Sequence, residues 1–473
     1  MCRDRLASAL AMVALAAILL PSFVHAQITF QRTYGGAFDD YGNSVQQNTD
    51  SGYVVAGLKS TGVSIGDFYL IRTDAAGNTL WSRTYNYWNY DAGYAVLQTT
   101  DGGFVFAGQV AGNGNWYSNL VWTDAQGNKL GDRVYDDFRA YSLQQTADGG
   151  YVIAGTNYYN YDVGLIRTNG SVLWRKSFYG HPGRGLGYSA QQTADSGYIE
   201  TGFVETNRDD VYLVKTNTDG DTLWTRTFGG DSSDWGHSVR QTTDGGYVIA
   251  GWTKSFGAGS DDVYLIRTDT SGDTMWTKTY GGTHDDEGYS VQQTADSGFI
   301  IVGYTESFGA GGRDVYLIKT NTSGDTMWTR TFGGANDDEG YSVWQTTDGG
   351  YTIAGYTKSY GAGGADVWLI KTDADGHVAV AEPMTSPTRP QVLSLCCEPN
   401  PSSGTTTIRL SPFALRHSPL TLRMYDSQGR MVLSREVSTS SFPLSTSGLP
   451  SGAYFIRCDA AGERATARIV LQR

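Results

Sequence analysis

The residues most able to do chemistry in this chain are acids, and they recur. Carboxylates cluster at Asp39-Asp40, Asp136-Asp137, Asp231 and Asp234, Asp285-Asp286-Glu287 and Asp337-Asp338-Glu339. A second series stands singly at Asp67, Asp162, Asp210, Asp262, Asp314 and Asp366. A glycosidase needs one acid and one nucleophile or base about 5–10 Å apart, and Asp286, Glu287, Asp338 and Glu339 are the candidates for such a pair. Clustered carboxylates also suit a hard cation such as Ca2+, with Asp39, Asp40, Asp285 and Asp337 as candidate ligands. Asn217-Thr-Asp219-Gly-Asp221 and Asp373-Ala-Asp375-Gly look like calcium loops, but neither has a glutamate at the twelfth position. A third reading is a solvated, turn-forming surface, since Asp and Gly together make good loops. Repetition weighs against catalysis, because a catalytic pair is a unique departure from a repeat.

The departures are aromatic. Tyr85-Asn-Tyr87-Trp88-Asn-Tyr90, Asn115-Trp116-Tyr117 and Asn157-Tyr158-Tyr159-Asn-Tyr161 interleave rings with amides, and His181-Pro-Gly-Arg-Gly185 then breaks the pattern. Flat rings suit the C–H faces of pyranoses and amides suit their hydroxyls. The sector made by Tyr87, Trp88, Tyr90, Trp116, Tyr117, Tyr158 and Tyr159 is the expected ligand site, and loop packing is the competing account. Trp235, in Asp-Trp-Gly-His237, is a further candidate. There is no HExxH, GxSxG, phosphate loop or Cys/His metal spacing.

The elements that must carry these residues repeat seven times, roughly every 50 residues. Each copy has an apolar strand that closes on a glycine, at Gly57, Gly108, Gly155, Gly202, Gly251, Gly303 and Gly355. In the sixth copy, alternation from Tyr289 to Thr294, the turn Asp296-Ser-Gly298 and the runs Phe299–Thr305, Asp314–Thr320 and Thr326–Phe332 read as four antiparallel strands. No stretch carries a helical stripe. The seventh copy lacks its fourth strand, whereas Phe30-Gln-Arg-Thr-Tyr-Gly-Gly36 aligns with Trp276-Thr-Lys-Thr-Tyr-Gly-Gly282. The expectation is an all-β chain: a seven-bladed β-propeller closed by the N-terminal strand, followed by a small β-sandwich.

The turn Asp-x-x-Gly-Asn-Thr-Leu-Trp81 recurs at Trp174, Trp224, Trp276 and Trp328, and Gly131 replaces the tryptophan in the second copy. It resembles the tryptophan-docking repeats of quinoprotein-type propellers and, more loosely, the Asp-box hairpins of sialidase-type propellers. The ring is read as packing against the next blade, and no quinone is implied. After a Pro-spaced stretch, Asn400-Pro401, Tyr425-Asp426-Ser-Gln-Gly429-Arg430 and Gly452-Ala-Tyr454 follow in order. This segment is similar to the C-terminal sorting domain of type IX secretion cargo. The resemblance implies passage across the outer membrane by the type IX machinery, with these residues serving sorting. Arg3 and Arg5, the apolar run Leu6 to Leu20 and Val24-His-Ala26 read as a signal peptide.

The expected organisation is therefore a signal peptide at 1–26, a propeller at 27–380, a linker at 381–395 and a sorting domain at 396–473. Past the signal, Cys396, Cys397 and Cys458 remain; one of the adjacent two could pair with Cys458, leaving an odd thiol, and the pairing stays open. The chain carries a net charge of −13, and the propeller about −18 of it, which disfavours nucleic acid and favours cations or neutral sugars. The function expected is a secreted or cell-surface module binding an extracellular ligand, a carbohydrate. A glycoside hydrolase and a protein–protein platform are the alternatives. No cofactor is implied beyond the calcium already considered, and no segment after the signal is long and apolar enough to span a bilayer.

Overall fold

A computed structural model describes residues 27–62, 66–112, 114–157, 161–178, 184–205, 207–378, 395–398, 405–410, 420–437, 441–460 and 463–471. Side chains within the strands are described except at 395–398, 409–410, 420, 441–442, 459–460 and 463–466. The proposed signal peptide, most of the linker, Asn400 and Pro401 lie outside this set.

Seven four-stranded antiparallel sheets account for the repeat. Blade 1 is typical, with strands Asp40–Gln47, Tyr53–Lys59, Asp67–Thr73 and Thr79–Tyr85 in spatial order. Blades 2 to 6 follow in sequence, their innermost strands being Tyr90–Gln98, Phe138–Gln145, Gly185–Gln192, Asp234–Gln241 and Asp286–Gln293. Blade 7 takes three strands from Asp338–Gln345, Tyr351–Thr357 and Asp366–Thr372, and its fourth is the N-terminal strand Phe30–Tyr34. The ring closes as the alignment of Phe30 with Trp276 requires, so no sheet keeps an open edge at the seam.

The burial pattern follows from strand position. The second and third strands of each blade are sandwiched by neighbouring blades and largely buried, as in Tyr351–Thr357 and Asp366–Thr372, where every residue is buried. The outer strands alternate exposed and half-buried residues, as in Thr326–Phe332.

Packing between blades is set at the outer hairpins. The hairpin glycines Gly77, Gly127, Gly220, Gly272, Gly324 and Gly376 have φ of 76–78°. A Cβ on each would stand only 2.5–2.9 Å from a ring of the preceding blade, respectively Phe30, Trp81, Trp174, Trp224, Trp276 and Trp328. Glycine is required twice over, by the backbone and by the ring seated on it. The same rings pack edge-on, with centroids 5.4–6.0 Å apart, against the aromatic that opens the next blade's second strand. Phe30 thus does for blade 7 what a tryptophan does elsewhere.

Blade 2 is the exception. Gly131 leaves the space above the hairpin glycine Gly170 empty. Its cross-strand partner is Trp122, whose ring lies 6.3 Å from Tyr151 of blade 3. The indole has moved one strand inward. That position is basic in the other blades, where Arg72, Arg167, Lys215, Arg267, Lys319 and Lys371 pair with Asp50, Asp148, Asp195, Asp244, Asp296 and Asp348.

The C-terminal region forms a three-stranded sheet (Leu395–Glu398, Thr405–Leu410, Ser441–Ser445) and a four-stranded sheet (Met431–Val437, Leu420–Tyr425, Gly452–Ala460, Glu463–Leu471). Both contribute to one core containing Ile408, Leu422, Met424, Leu444, Ile456, Cys458 and Ile469. The side chains of Cys396 and Cys397 lie outside those described, so the expected cystine does too.

Candidate functional site

Strand order puts two sets of loops on one face of the propeller: those joining each outer strand to the next innermost strand, and those joining second to third strands. Both acid series stand there, and, against the reading of a solvated, turn-forming surface, many of the carboxylates turn inward. Asp40, Asp234, Asp286 and Asp338, each the first residue of an innermost strand, are fully buried. Asp286 accepts the Gly282 N–H at 2.8 Å and the Ser307 hydroxyl at 2.7 Å. Asp338 accepts the Gly334 N–H at 2.9 Å, and Asp40 accepts the Ser60 N–H at 3.1 Å. Of the second series, Asp262 accepts N–H groups of Ala258 and Gly259 at 2.9 and 3.0 Å, and Asp314 that of Ala310 at 2.7 Å. Glycine-rich loops carry main-chain donors with no ladder to join, and inward-turned carboxylates satisfy them.

The remaining acids divide. Asp39 accepts the Ala365 N–H at 2.8 Å, Asp285 that of Asp261 at 3.3 Å and Asp337 that of Arg313 at 3.4 Å. Among the described residues no group of three or more His, Cys, Asp or Glu is arranged to hold a metal ion. Glu287 accepts the Tyr304 hydroxyl at 2.8 Å, and burial pushes its pKa above the ordinary carboxylate range. Glu339 pairs with Arg313 at 2.8 Å and accepts the hydroxyls of Tyr356 and Tyr341 at 2.9 and 3.0 Å.

Inside the ring lies a feature that alternation alone conceals. Six innermost strands bulge at one position, between Gly42/Ser44, Gly93/Ala95, Ala140/Ser142, Gly187/Ser189, Gly236/Ser238 and Gly288/Ser290. A bulge re-aims a side chain, and here both the bulged residue and its successor line the central channel. The bulged set is Asn43, Tyr94, Tyr141, Tyr188, His237 and Tyr289, with Tyr341 at the equivalent place in blade 7. Ring centroids run 5.4, 5.1, 4.7, 5.2 and 5.4 Å from Tyr94 through Tyr141, Tyr188, His237 and Tyr289 to Tyr341. Asn43 interrupts the belt and donates to the Gly93 carbonyl at 2.8 Å. Burial raises the pKa of Tyr94, Tyr188, Tyr289 and Tyr341, so their hydroxyls stay protonated. The next layer is serine: Ser44, Ser189, Ser238, Ser290 and Ser342 each accept a backbone N–H of the following blade at 3.3–3.4 Å. The cavity holds about 250 Å³. The signal for it was present, in the recurring Gly-Tyr-Ser, but period-2 reading turns that tyrosine into the sheet.

The aromatic sector is assembled at the loop-bearing mouth of blades 1 and 2. Trp88 is 39% exposed and its ring lies 4.7 Å from that of Tyr117. Trp116 lies 5.6 Å from Tyr90, whose hydroxyl is 3.3 Å from that of Tyr94 in the channel. The loop is held from beneath: buried Asp91 accepts the N–H groups of Tyr87 and Trp88 at 2.7 and 3.1 Å, and burial pushes its pKa up to about 6. Arg139 caps Trp116 at 4.2 Å and Lys129 caps Tyr87 at 5.1 Å. Trp235 belongs to a separate stack, 4.1 Å from Phe203 and donating to Asp209 at 3.1 Å. Tyr158 and Tyr159 lie outside the described residues.

In the C-terminal region Asp426 accepts the N–H groups of Gln428 and Arg430 at 2.9 Å and pairs with the Arg430 side chain at 2.8 Å, around Gly429 at φ 78°. Tyr454 donates to the Pro450 carbonyl at 2.9 Å. Asp426, Gly429 and Arg430 therefore form a turn, while Tyr425, Gly452 and Tyr454 lie on strands.

Residues 399–472 match the family of secretion system C-terminal sorting domains. The tail is of the type IX kind and marks the chain for export, with a surface or extracellular destination. No curated protein matches the chain. Among solved structures it is similar to PorZ, described as an essential bacterial surface component of the type IX secretion system of Porphyromonas gingivalis. The identity is 11%, with a TM-score of 0.44, over 93% of this chain and 60% of that one. It is also similar to the Dos1 propeller (13%, TM-score 0.42, 70% and 81%) and to Sqt1 from Chaetomium thermophilum (10%, TM-score 0.44, 75% and 88%). The chain thus spans less than two thirds of the length of PorZ.

Proposed function

We propose that the propeller is a non-catalytic binding module that takes an extracellular carbohydrate at its loop-bearing mouth. The type IX machinery would carry it through the periplasm to the outer surface or beyond. The observation that carries the reading is the half-exposed pair Trp88 and Trp116. Their rings are backed by Tyr117 and Tyr90, and Asp91 fixes the loop that carries Trp88. Rings held in place lose little entropy on binding and offer flat apolar faces to sugar C–H groups. The test is co-sedimentation of the purified chain with a panel of insoluble polysaccharides. Pelleting that falls at least about tenfold in Trp88→Ala/Trp116→Ala supports the reading, and pelleting unchanged in that variant sinks it.

One observation favours the hydrolase alternative. Of the four candidate carboxylates, Glu287 is raised above the ordinary carboxylate range by burial, as a general acid requires. New reducing ends in the supernatant, lost in Glu287→Gln or Glu339→Gln, would favour the enzyme. Neither pelleting nor new ends would favour the protein-platform reading.

A further inference from the structure

The innermost strands hold a second repeating position, three residues beyond the bulged ring. Gln46, Gln144, Gln191 and Gln292 occupy it in four blades, and each Oε1 accepts a backbone N–H of the next blade at 2.6–2.7 Å. These glutamines stitch the blades together. Blade 5 has Arg240 there, and a guanidinium carries donors only. The stitch to blade 6 is given up, and a cation is placed in the channel instead.

Nothing described offsets that cation. Arg240 donates to the Val239 carbonyl at 3.0 Å and takes part in none of the ion pairs among the described residues. By contrast, the six basic residues buried on the third strands each face an aspartate. Among the described residues no acidic side chain lines the cavity. Burial lowers the Arg240 pKa from the ordinary arginine value, with no carboxylate acting against it.

The same strand puts His237 into the tyrosine belt. Its Nε2 is buried and has no hydrogen-bond partner, and burial alone pushes its pKa down to about 4. Both departures are nitrogen-bearing and face one cavity of about 250 Å³ otherwise lined by tyrosines, serines, amides, the Trp344 indole and aliphatic groups. Arg240 stands further along the strand than His237, toward the hairpin of Asp244, whose carboxylate is taken up by Arg267.

We propose that the central channel is a binding site for a small oxyanion, a carboxylate or phosphate on a hydroxylated body, gripped by Arg240 with His237 Nε2 as a second partner. A guanidinium fork matches either group in two parallel hydrogen bonds, and the tyrosine and serine layers supply partners for hydroxyls. The site is distinct from the aromatic mouth and does not depend on the carbohydrate reading.

Calorimetric titration of the purified full chain with glucuronate, glucose 6-phosphate and glucose tests it. At least one anion should bind, with glucose weaker by about tenfold or more, as charge-assisted hydrogen bonds require. The two anions separate carboxylate from phosphate. Arg240→Gln installs the residue four other blades carry, so it should fold and lose about tenfold or more of the anion affinity. Trp88→Ala/Trp116→Ala should leave that affinity unchanged. In the wild-type chain the anion should shift the ring NMR signals of His237, assigned by their loss in His237→Asn. Binding of glucose as tight as the anions, no binding of either anion, full affinity in Arg240→Gln, or unmoved His237 signals would each overturn the proposal.

Discussion

Glu200 occupies a core position that is Val55, Phe106, Ile153, Ile249, Ile301 and Ile353 in the other blades. It is 1% exposed, and neither carboxyl oxygen has a hydrogen-bond partner. Burial raises its pKa well above the ordinary carboxylate value, so the folded chain holds this proton where the unfolded chain, ionising near about 4.3, has released it. A group whose folded pKa is raised gives stability that is complete below the unfolded value and falls as pH rises toward the folded one. Glu200→Ile should therefore stabilise the propeller by about 1–3 kcal/mol near neutrality. It should also flatten the decline in stability between about pH 5 and 8. Denaturant unfolding at the two pH values checks both, and an unchanged slope would show that Glu200 does not carry it. Asp286 is a different kind of residue, buried yet bonded to the loop it holds. Asp286→Ala should cost about 1–3 kcal/mol by leaving the Gly282 N–H and the Ser307 hydroxyl unmet, which a thermal melt would register as a lowered Tm.

At the scale of the strand and hairpin, blade 2 carries its tryptophan where the other blades are basic and a glycine where they carry the docking ring. Trp122 and Gly131 face each other across the third and fourth strands, and Asp101, unlike its six counterparts, stands in a blade with no basic residue at that site. Trp122→Arg alone removes the ring against Tyr151 and should destabilise by about 1–3 kcal/mol. Gly131→Trp alone sets a ring in the open space over Gly170 while Trp122 keeps the contact with Tyr151, and should change stability by less than about 1 kcal/mol. Combining Trp122→Arg with Gly131→Trp rebuilds the arrangement of the other blades, with an indole over Gly170 and a guanidinium facing Asp101. The double variant should recover at least about 1 kcal/mol relative to additivity. A double-mutant cycle in urea measures the coupling, and strict additivity would mean the two positions are independent.

For the propeller as a whole, stability rests on a closure made by sequence-distant ends. Phe30–Tyr34 completes the blade built from residues near 340–372, and the Phe30 ring seats on Gly77 and Tyr53 of blade 1. Gln27 accepts the Ala374 N–H at 3.1 Å and donates to the Asp348 carbonyl, tying the strand to the turns of blade 7. Deleting residues 27–34 should expose a strand edge, lower the Tm and promote self-association, measurable by melting and by size-exclusion chromatography. Phe30→Ala keeps the strand but loses the ring, and should cost about 3 kcal/mol without association. A deletion variant as stable and monodisperse as the parent would show that the ring closes by other means.

The blade count, the four strands of each, the closing strand and the tryptophan docking were all legible in the chain of letters. They follow from local periodicity repeated seven times, and repetition turns weak strand signals into firm ones. The sorting tail was legible through its resemblance to type IX cargo, carried by motifs that stand in adjacent residues and in a fixed order. The direction in which the acids face was settled by folding alone. A string of letters does not say whether Asp286 looks outward to a substrate or inward to unpaired N–H groups, since that depends on loop donors from Gly282 and Ser307, 4 and 21 positions away. Nor could alternation reveal the channel. A single bulge per blade re-aims the tyrosine of Gly-Tyr-Ser, and its environment is built from seven strands that meet only when the ring is closed.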